Sequence, residues 1–556
     1  MLSDKKNKII VIFILFFAAF YCTLPLFINQ GIPNGHDTNN HIFRAEQFNK
    51  VLNDGIVFPR WIPDANNGYG SPTFIFYSPL FYYVVSAIHF MGPPLIMSMV
   101  LAVWLSFFLS GFTMYLLSKN MFGSTGGLLS AVAYQVLPFH LIDLYIRAAF
   151  TELFAFLWFP LIILFLHKTL TTDSKKAPIG LCISYAGLIY THLKCGFMFT
   201  FVIGVYLLYS YFLLKNRKPL INALLALTLG LALSSYYLIP VVFEWKLVYL
   251  EYLVQCSFCD FTKSFLLLWS NLEDVCLLMN MVLGIEVILF LVIISFLYEN
   301  YIKSTSRPYR NIMVIIFLLA FFLTIPLSRP LWGLIPFFPY LQFPWRWLSI
   351  MEFSLCLLIG CVFSSEEMPR SKSNELKKKI ILFLLIAVFV FSFIIIIKNK
   401  NSNNYYLSKT FNPAVMKYYV EPSHEYIPRG TGNIEEITSE KRHEHVSILS
   451  GYAKIRIREW KSGKRAIIIN AYAPSMLRFS TFYYPGWKAY LDGVEMPIKT
   501  EENDGAMLVN IPKGTHALLL KFEDTPVRHY AKIISLASVL IVLSLVLFSA
   551  GRRRGQ

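Results

Sequence analysis

The chain has 556 residues, of which 56% are hydrophobic and only 15% are charged, whereas a soluble globular protein carries about 25% charged residues. The apolar residues form long blocks instead of amphipathic stripes, which argues against a large soluble all-α protein. The formal net charge of +17 is concentrated in short loops between those blocks, so it indicates membrane topology and argues against nucleic acid as a partner.

The blocks predict a polytopic α-helical membrane protein with about twelve spans, because roughly 20 apolar residues cross a bilayer core as a helix. The predicted spans, in chain order, are residues 9–28, 95–117, 121–138, 149–167, 179–193, 196–213, 220–241, 277–297, 312–327, 347–363, 380–398 and 530–550. With the N-terminus in the cytoplasm, every strongly basic short loop and the C-terminus also fall on the cytoplasmic side. The first block resembles a signal peptide, but its length and its lack of a clear cleavage site favour a retained span. The short apolar segment 79–92 is predicted to be interfacial or re-entrant.

The first predicted outer loop, residues 29–94, is too rich in polar and aromatic residues for a passive connector. Asp37 follows the first span, and a helix after it would place His41 and Arg44 about one turn apart on one face. Arg60 comes later, in a Pro-Arg-Trp sequence. A carboxylate here can act as a general base on an acceptor hydroxyl, and arginines and histidines can hold a phosphate. Asp37 is equally suited to cap the helix that follows it, so both interpretations stay open.

Three further outer loops carry ionisable residues at the ends of spans. Arg147 and Glu152 lie near the start of the fourth span with Asp143 just before them, His192 ends the fifth, and Arg346 precedes the tenth. Each has an ordinary explanation, as a snorkelling arginine, a structural histidine or an arginine within an aromatic belt. Their convergence with the first outer loop on one face predicts a site there.

Residues 399–529 are polar, and their alternating apolar residues and Asp-Gly turns are typical of strands. They predict an extracytoplasmic β-sandwich-like domain that either holds an acceptor glycan through exposed tyrosine and tryptophan or packs as a structural lid. The predicted domains are a transmembrane domain over 1–398, this β-domain, and a final span with a basic cytoplasmic tail over 530–556. In an outer loop, Cys256-x-x-Cys259 is either a redox pair or an incidental structural feature.

Several motifs spread along most of the chain carry a family resemblance. They are Asp37 with His41, Pro59-Arg60-Trp61, Gly68-Tyr69-Gly70, Arg147 with Glu152, Thr191-His192, Gln342-Phe343-Pro344-Trp345-Arg346 and Tyr484-Pro485-Gly486-Trp487. Together they resemble the GT-C superfamily of membrane glycosyltransferases. More closely, they resemble the bacterial YfhO-like membrane proteins and the membrane family named after 6-pyruvoyl-tetrahydropterin synthase.

The resemblance implies an enzyme of the bacterial cell membrane that transfers a sugar from a polyprenyl-phosphate-sugar donor to a cell-envelope glycan or glycopolymer at the outer face. It implies that Asp37 is the general base and that Glu152, or less readily Asp143, is the second acidic residue. Because His36-Asp37 stands where many members carry paired acidic residues, no divalent metal is assigned and the cofactor stays unknown. The side chains implied to bind substrate or its phosphate are His41, Arg44, Arg60, Arg147, His192 and Arg346.

Two other functional classes stay open at this point. A lipid or polysaccharide transporter would place ionisable residues near mid-membrane along a path, and such residues are scarce in the predicted spans. A non-catalytic scaffold for envelope assembly with the same fold is not distinguished from an enzyme by the sequence.

Overall fold

The structure, a computed structural model, describes residues 2–255, 260–268, 274–299, 307–364, 372–398, 405–407, 424–432, 444–501 and 504–551. The Cys256-x-x-Cys259 pattern lies outside the described residues. Within them, a helical membrane domain carries a β-sandwich on one of its ends, and this arrangement confirms the predicted fold class. That end of the membrane domain is called the β-domain face below.

Short 3₁₀ and π turns connect several helices of the membrane domain. The helices are α1 (Leu2–Asn29), α2 (Thr38–Asn53), α3 (Thr73–Phe76), α4 (Leu80–Phe90), α5 (Leu95–Val136), α6 (Pro138–Ile142), α7 (Phe150–Ala155), α8 (Trp158–Thr171), α9 (Ala177–Thr191), α10 (Leu193–Leu213), α11 (Lys218–Leu233), α12 (Ser235–Glu244), α13 (Tyr252–Gln255), α14 (Asp274–Glu299), α15 (Arg307–Thr324), α16 (Arg329–Leu334), α17 (Leu348–Val362), α18 (Lys372–Lys398) and the C-terminal helix Pro526–Gly551. Every residue of α17 is buried, so this helix forms the centre of the domain.

Eight of the described helices are long and apolar enough to cross a membrane, and two bent pairs raise the number to ten. Leu95–Arg147 is one of the eight, but α5 breaks within it at Gly123, which has φ 80° and ψ 179°. Gln135 donates a hydrogen bond to the carbonyl of Phe107 at 2.9 Å, although 28 residues of straight helix would extend about 42 Å. Since α5 is therefore a hairpin, counting it twice and adding the short apolar helix α9 gives the predicted value of about twelve spans.

The first outer loop folds into β1 (Gly31–Pro33) and helices α2, α3 and α4. With 11 residues, α4 is about 16 Å long and too short to cross a hydrocarbon core of about 30 Å. It packs on α2 and α5, as expected for an interfacial helix. β1 pairs antiparallel with β2 (Tyr405–Leu407), which joins this loop to the segment that follows α18.

The β-domain consists of two antiparallel sheets packed face to face. One has the order β3-β6-β10-β9 and the other the order β4-β5-β11-β7-β8. The strands are β3 (Val446–Ser450), β4 (Ala453–Lys461), β5 (Lys464–Ala471), β6 (Ser475–Phe482), β7 (Trp487–Leu491), β8 (Val494–Met496), β9 (Lys499–Thr500), β10 (Ala506–Ile511) and β11 (Gly514–Phe522). Trp61 and Tyr69 of the first outer loop belong to the hydrophobic core of this domain, so the loop and the sandwich form one packed unit.

A buried ion pair between α12 and the C-terminal helix also binds the β-domain through Tyr484 and Pro485. Glu244, at the end of α12, accepts hydrogen bonds from Arg528 at 2.8 and 2.9 Å and from the hydroxyl of Tyr484 at 3.0 Å. Arg528 also donates to the carbonyl of Pro485 at 2.8 Å. Gly486 has φ 120°, and a Cβ there would lie 2.7 Å from the Arg528 guanidinium, so the Tyr-Pro-Gly-Trp motif is built to hold this arginine.

The aromatic residues of the β-domain differ in exposure. Tyr484 and Trp487 are buried, at 0% and 3% exposure, because they pack against Trp61, whereas Tyr452 and Tyr472 are 62% and 43% exposed. The choice between a glycan-holding domain and a structural lid therefore stays open.

The expectation that ionisable residues are scarce within the spans requires correction. Glu286 and Glu352 are completely buried on the packed helices α14 and α17. The carboxylate of Glu352 binds the backbone N–H of Phe139 at 2.8 Å and faces a histidine ring of α6.

Candidate active site

Asp37 stands at the N-terminal end of α2, where the first outer loop meets the turn before α7. Its backbone N–H donates to the carbonyl of Arg147 at 2.9 Å, and the N–H of His36 donates to the carbonyl of Ile146 at 3.0 Å. The half-buried carboxylate makes no capping hydrogen bond to α2. The capping geometry is therefore absent at this helix end, and the carboxylate is available for another contact.

Four buried ionisable side chains form an ionic network behind Asp37: Asp143, Arg147, Glu152 and Arg346. Arg147 donates to Asp143 through one nitrogen and to Glu152 Oε2 at 2.8 Å through another, while Arg346 donates to the same Glu152 oxygen at 2.5 Å. All four side chains are at most 8% exposed. Because an unpaired buried charge is costly, the two carboxylates are needed to keep two guanidinium groups side by side at this position.

The backbone of the turn before α7 explains how the sequence builds this network. Asp143–Arg147 forms a single π turn and Ala148 takes the left-handed conformation at φ 53°, which brings Arg147 back toward Glu152. The first outer loop approaches this turn closely at Gly35, where a Cβ would lie 2.7 Å from the carbonyl oxygen of Ile146. A glycine is therefore required for Asp37 to reach the network.

The Gln-Phe-Pro-Trp-Arg motif covers the network with aromatic rings. The guanidinium of Arg147 lies 4.6 Å from the ring centre of Trp345, and that of Arg346 lies 5.4 Å from the ring of Phe343. Such contacts hold planar guanidinium groups in place and exclude water from them. The motif is more than an interfacial belt, because its aromatic residues directly contact both arginines.

Helix α2 adds Arg44 and His41, which differ in their surroundings. Arg44 lies over the ring of Tyr77 at 4.1 Å, and the charges of Arg44, Asp37 and Arg346 all act on the Tyr77 hydroxyl. His41 is 1% exposed and its Nδ1 lies 2.9 Å from the Tyr82 hydroxyl. Burial, followed by the Arg44 charge, holds the pKa of His41 well below its usual range, so this imidazole is neutral at pH 7.

A cavity of about 330 Å³ opens next to Tyr77 and extends between α12 and the segment before α17. Tyr77, His192 and Lys194 are among the polar residues that line it, and most of the lining is apolar. The apolar lining includes Leu238, Val241, Val242, Leu250, Leu253 and Phe337. This Lys194 cavity therefore combines a few polar side chains with a mainly hydrophobic lining.

His192 and Lys194 are placed by the single-residue break between α9 and α10. His192 caps α10, because its Nδ1 accepts the N–H of Cys195 at 3.2 Å. Lys194 donates to the side-chain oxygen of Gln342, and the charges of Arg346, Glu152 and Asp37 act on its ammonium group. The sequence-based site did not include Lys194 or Tyr77. Lys194 could have been included, because a lysine at the outer end of a predicted span is unusual when the basic residues concentrate at the cytoplasmic ends.

Arg60 lies elsewhere, although it belongs to the same outer loop as Asp37. Its Nε is 3.5 Å from the carboxylate of Asp524, and its guanidinium lies 4.2 Å from the ring of Tyr236. Within the described residues, no hydrogen bond or ion pair joins Arg60 to the ionic network. In the part of the chain that the structure describes, no three or more His, Cys, Asp or Glu side chains are arranged to hold a metal ion.

The sequence profile of a family described as a membrane protein with a 6-pyruvoyl-tetrahydropterin synthase related domain matches residues 74–405. The chain belongs to this family. The matched range contains the ionic network, His192 and Lys194, whereas the outer-loop residues Asp37, His41, Arg44 and Arg60 precede it. The matched range thus includes Arg147, Lys194 and Arg346, and the half-buried carboxylate of Asp37 lies before it.

A relative of this family member is an uncharacterized protein from Lactococcus lactis subsp. cremoris, 26% identical over 277 residues. The alignment covers 48% of the chain, and the chain spans only 44% of that relative. Among solved structures it is similar to the mycobacterial arabinofuranosyltransferase AftD, with a TM-score of 0.46, 14% identity, and coverage of 69% of this chain and 26% of that one.

It is also similar to ArnT from Cupriavidus metallidurans bound to undecaprenyl phosphate, with a TM-score of 0.39, 12% identity, and coverage of 76% and 77%. The oligosaccharyltransferase from Archaeoglobus fulgidus has a TM-score of 0.38 and 13% identity, with 76% and 61% covered. At TM-scores below 0.5, these likenesses establish no common reaction.

Proposed function

We propose that this family member is a membrane glycosyltransferase of the GT-C type. It takes a sugar from a polyprenyl-phosphate-sugar donor and transfers it to a cell-envelope glycan or glycopolymer. The β-domain face then lies on the outer side of the bacterial cell membrane, and both termini lie in the cytoplasm.

One observation carries the proposal: the charge of the half-buried, uncapped Asp37 carboxylate acts on Lys194 and on the Tyr77 hydroxyl, and both of these residues line a mainly apolar cavity. A polyprenyl phosphate has the same two-part character, with an anionic head and an apolar chain. The Lys194 cavity, at about 330 Å³, falls within the range of ligand pockets. It accommodates the head and the first part of the chain, and the rest leaves toward the lipid-facing surface of α12, where Val242 and Phe243 are 56% and 67% exposed.

In the proposed reaction, the acceptor hydroxyl gives its proton to the carboxylate of Asp37 and its oxygen forms a bond to the anomeric carbon. The bond from that carbon to the phosphate oxygen breaks, and its electron pair remains on the departing polyprenyl phosphate. Negative charge therefore grows on the phosphate. Fixed cations in a water-poor site stabilise such charge without reorganising during the reaction.

The cations differ in their roles. Lys194 and His192 line the cavity, the charge of Arg346 acts on Lys194, and Arg44 lies over the ring of Tyr77 in the same lining. In this proposal Lys194, Arg346 and Arg44 contact the phosphate, and His192 is a hydrogen-bonding neighbour. Glu152, expected from the resemblance to be a second catalytic acid, accepts from both arginines and is 1% exposed. It therefore acts in this proposal as a positioning residue that holds the guanidinium groups in place.

The test uses the full-length chain in lipid nanodiscs with a panel of radiolabelled donors: polyprenyl-phosphate-linked hexose, pentose and N-acetylated amino sugar. Transfer is measured as label in an isolated envelope glycan fraction and as released polyprenyl phosphate. Asp37→Asn is expected to lower the transfer rate by about 10²- to 10⁴-fold. Its unfolding midpoint should stay unchanged, because the carboxylate makes no capping bond.

Asp173→Asn is the matched control, since Asp173 is an exposed aspartate in the turn between α8 and α9, away from the β-domain face. It should transfer at the wild-type rate. Full activity in Asp37→Asn would remove the base assignment, and absence of transfer from every donor in the panel would refute the reaction.

Transport of a lipid or glycan is the second candidate, and a specific observation favours it. Glu286 and Glu352 are fully buried within α14 and α17, and both oxygens of Glu286 have no hydrogen-bond partner among the described residues. Paired carboxyls inside a membrane domain are common in proton pathways. Movement of a labelled lipid-linked sugar across proteoliposomes, lost in Glu286→Gln but kept in Asp37→Asn, would select transport over transfer.

A further inference from the structure

A second cavity, of about 370 Å³, lies where the first outer loop, the β-domain and the C-terminal helix meet. The Arg60 cavity, as it is called here, is lined by Phe58, Arg60, Trp61, Tyr236, Lys521 and Lys532, together with two carboxylates, Glu523 and Asp524. None of these residues lines the Lys194 cavity. The lining therefore has more cations than anions, and aromatic rings stand beside them.

Arg60 is buried with part of its bonding capacity unused. Its residue exposure is 7%, and neither Nε nor Nη2 has a hydrogen-bond partner among the described residues. The nearest carboxylate oxygen, on Asp524, lies 3.5 Å from Nε, beyond the usual range of 2.7 to 3.2 Å for such a bond. A buried guanidinium in this condition gains from an anionic oxygen that reaches it directly.

The carboxylates of the cavity are already engaged with lysines. Glu523 lies 3.1 Å from Lys521 and accepts from the hydroxyl of Tyr490 at 3.2 Å. Asp524 lies 3.9 Å from Lys532. The negative charge of both carboxylates is therefore partly neutralised by lysines, which lowers their repulsion of an entering anion. Arg60 keeps two N–H groups without a hydrogen-bond partner among the described residues.

The position of the cavity indicates which anion it meets. Lys532 stands in the second turn of the membrane-crossing helix Pro526–Gly551, next to Ile533 and Ile534, which are 48% and 40% exposed. On the other side, the apolar side chains of Val57 and Phe58 line the cavity and are 64% and 49% exposed. Exposed apolar residues beside lysine at the end of a span are typical of the headgroup region.

We propose that the Arg60 cavity binds the phosphodiester headgroup of an anionic membrane lipid. One phosphate oxygen bonds to Arg60 and another faces Lys532, while the lipid chains lie along the exposed apolar side of the C-terminal helix. The bound lipid bridges the first outer loop, the β-domain and the membrane. This site is separate from the proposed reaction at Asp37 and does not depend on it.

The test is lipid binding by the full chain, purified in detergent and delipidated. Native mass spectrometry and thermal unfolding are recorded during titration with dioleoylphosphatidylglycerol, dioleoylphosphatidylcholine and the soluble headgroup glycerophosphoglycerol. The anionic lipid is expected to bind and to raise the unfolding temperature, because a ligand of the folded state stabilises it. The zwitterionic lipid should bind about tenfold more weakly or worse, since it lacks the net negative charge.

Arg60→Gln should weaken binding of the anionic lipid about tenfold or more, as expected for loss of a charge-assisted hydrogen bond. Lys532→Gln should weaken it less, and because this side chain is 44% exposed, the variant tests the site without disturbing the fold. Arg217→Gln is the matched control, since Arg217 stacks on Tyr211 at 3.8 Å as Arg60 stacks on Tyr236, but in an exposed loop outside the cavity.

Equal lipid affinity in wild type, Arg60→Gln and Lys532→Gln would overturn the site. Binding of soluble glycerophosphoglycerol as tight as that of the lipid would overturn the assignment to a membrane lipid. Binding that is lost in both cavity variants and retained in Arg217→Gln supports it.

Discussion

The ionic network makes a quantitative prediction about Glu152→Gln. This substitution removes the charge that accepts from Arg147 at 2.8 Å and from Arg346 at 2.5 Å, while the amide keeps one acceptor oxygen. The three side chains are 1%, 5% and 8% exposed, so water cannot replace the lost carboxylate. Breaking a buried pair typically costs about 3–5 kcal/mol, and we expect the lower end, about 3 kcal/mol, because the amide still accepts one bond.

The chain offers a matched surface pair for comparison. Arg429 contacts Glu251 at 2.6 Å, but these side chains are 43% and 31% exposed. An exposed pair of this kind contributes about 0–1 kcal/mol, so Glu251→Gln should have little effect on stability. The two variants make the same chemical change at similar distances, and they differ in burial and in the number of arginines that the carboxylate pairs with.

The assay is unfolding in mixed detergent micelles with increasing sodium dodecyl sulfate, followed by far-ultraviolet circular dichroism. Glu152→Gln should shift the midpoint strongly to lower denaturant, and Glu251→Gln should coincide with the wild type. If both variants lose the same small stability, the arginines are not held by buried charge pairing, and the positioning role of Glu152 is refuted.

Two further predictions concern the polar lining of the Lys194 cavity and the support of α2. Lys194→Gln should weaken the binding of a polyprenyl phosphate in nanodiscs by about tenfold. Lys218→Gln, at the start of α11, should leave this binding unchanged. If Lys194→Gln also binds as tightly as the wild type, Lys194 does not belong to the phosphate site. His41 has a folded-state pKa well below the unfolded value of about 6.5, so the unfolded chain takes up a proton that the folded chain refuses as pH falls below about 6.5. Wild-type stability should therefore decrease between about pH 7 and pH 5, and His41→Gln should remove the part of this decrease that the His41 imidazole contributes. An identical pH dependence in the variant would contradict the burial of a neutral imidazole at this position.

The spans were accessible from the sequence because they depend on local properties, namely block length and loop charge. The hairpin within α5 illustrates this, since its break at Gly123 lies near the start of the predicted span 121–138, which the spacing already separated from the span 95–117. The β-sandwich was accessible for the same reason, because strand alternation and turn residues are local. The packing of Trp61 and Tyr69 into its core was not, since it joins residues about 400 positions apart.

The site was predictable only in part. Arg147, Glu152 and Arg346 were found because charged residues at the ends of spans are conspicuous. Arg60 was grouped with them through its loop, yet a loop without periodic structure places neighbours in sequence on different surfaces. The pairing of Glu286 with Glu352 was missed because each is a single charge in an apolar block, and only helix packing shows that they face a common interior.

The choice between a helix cap and a catalytic base at Asp37 depends on what its carboxylate oxygens contact. Sequence leaves both interpretations open, because an aspartate before a helix suits either. In the folded chain, the backbone N–H groups of His36 and Asp37 bind the turn before α7, which fixes this segment against the network and leaves the carboxylate without a capping bond. The backbone of Asp37 is therefore held in place while its side-chain oxygens form no capping bond, so these oxygens can accept a hydrogen bond from a substrate. The absence of a capping bond therefore leaves the proposal of Asp37 as the base consistent with the fold.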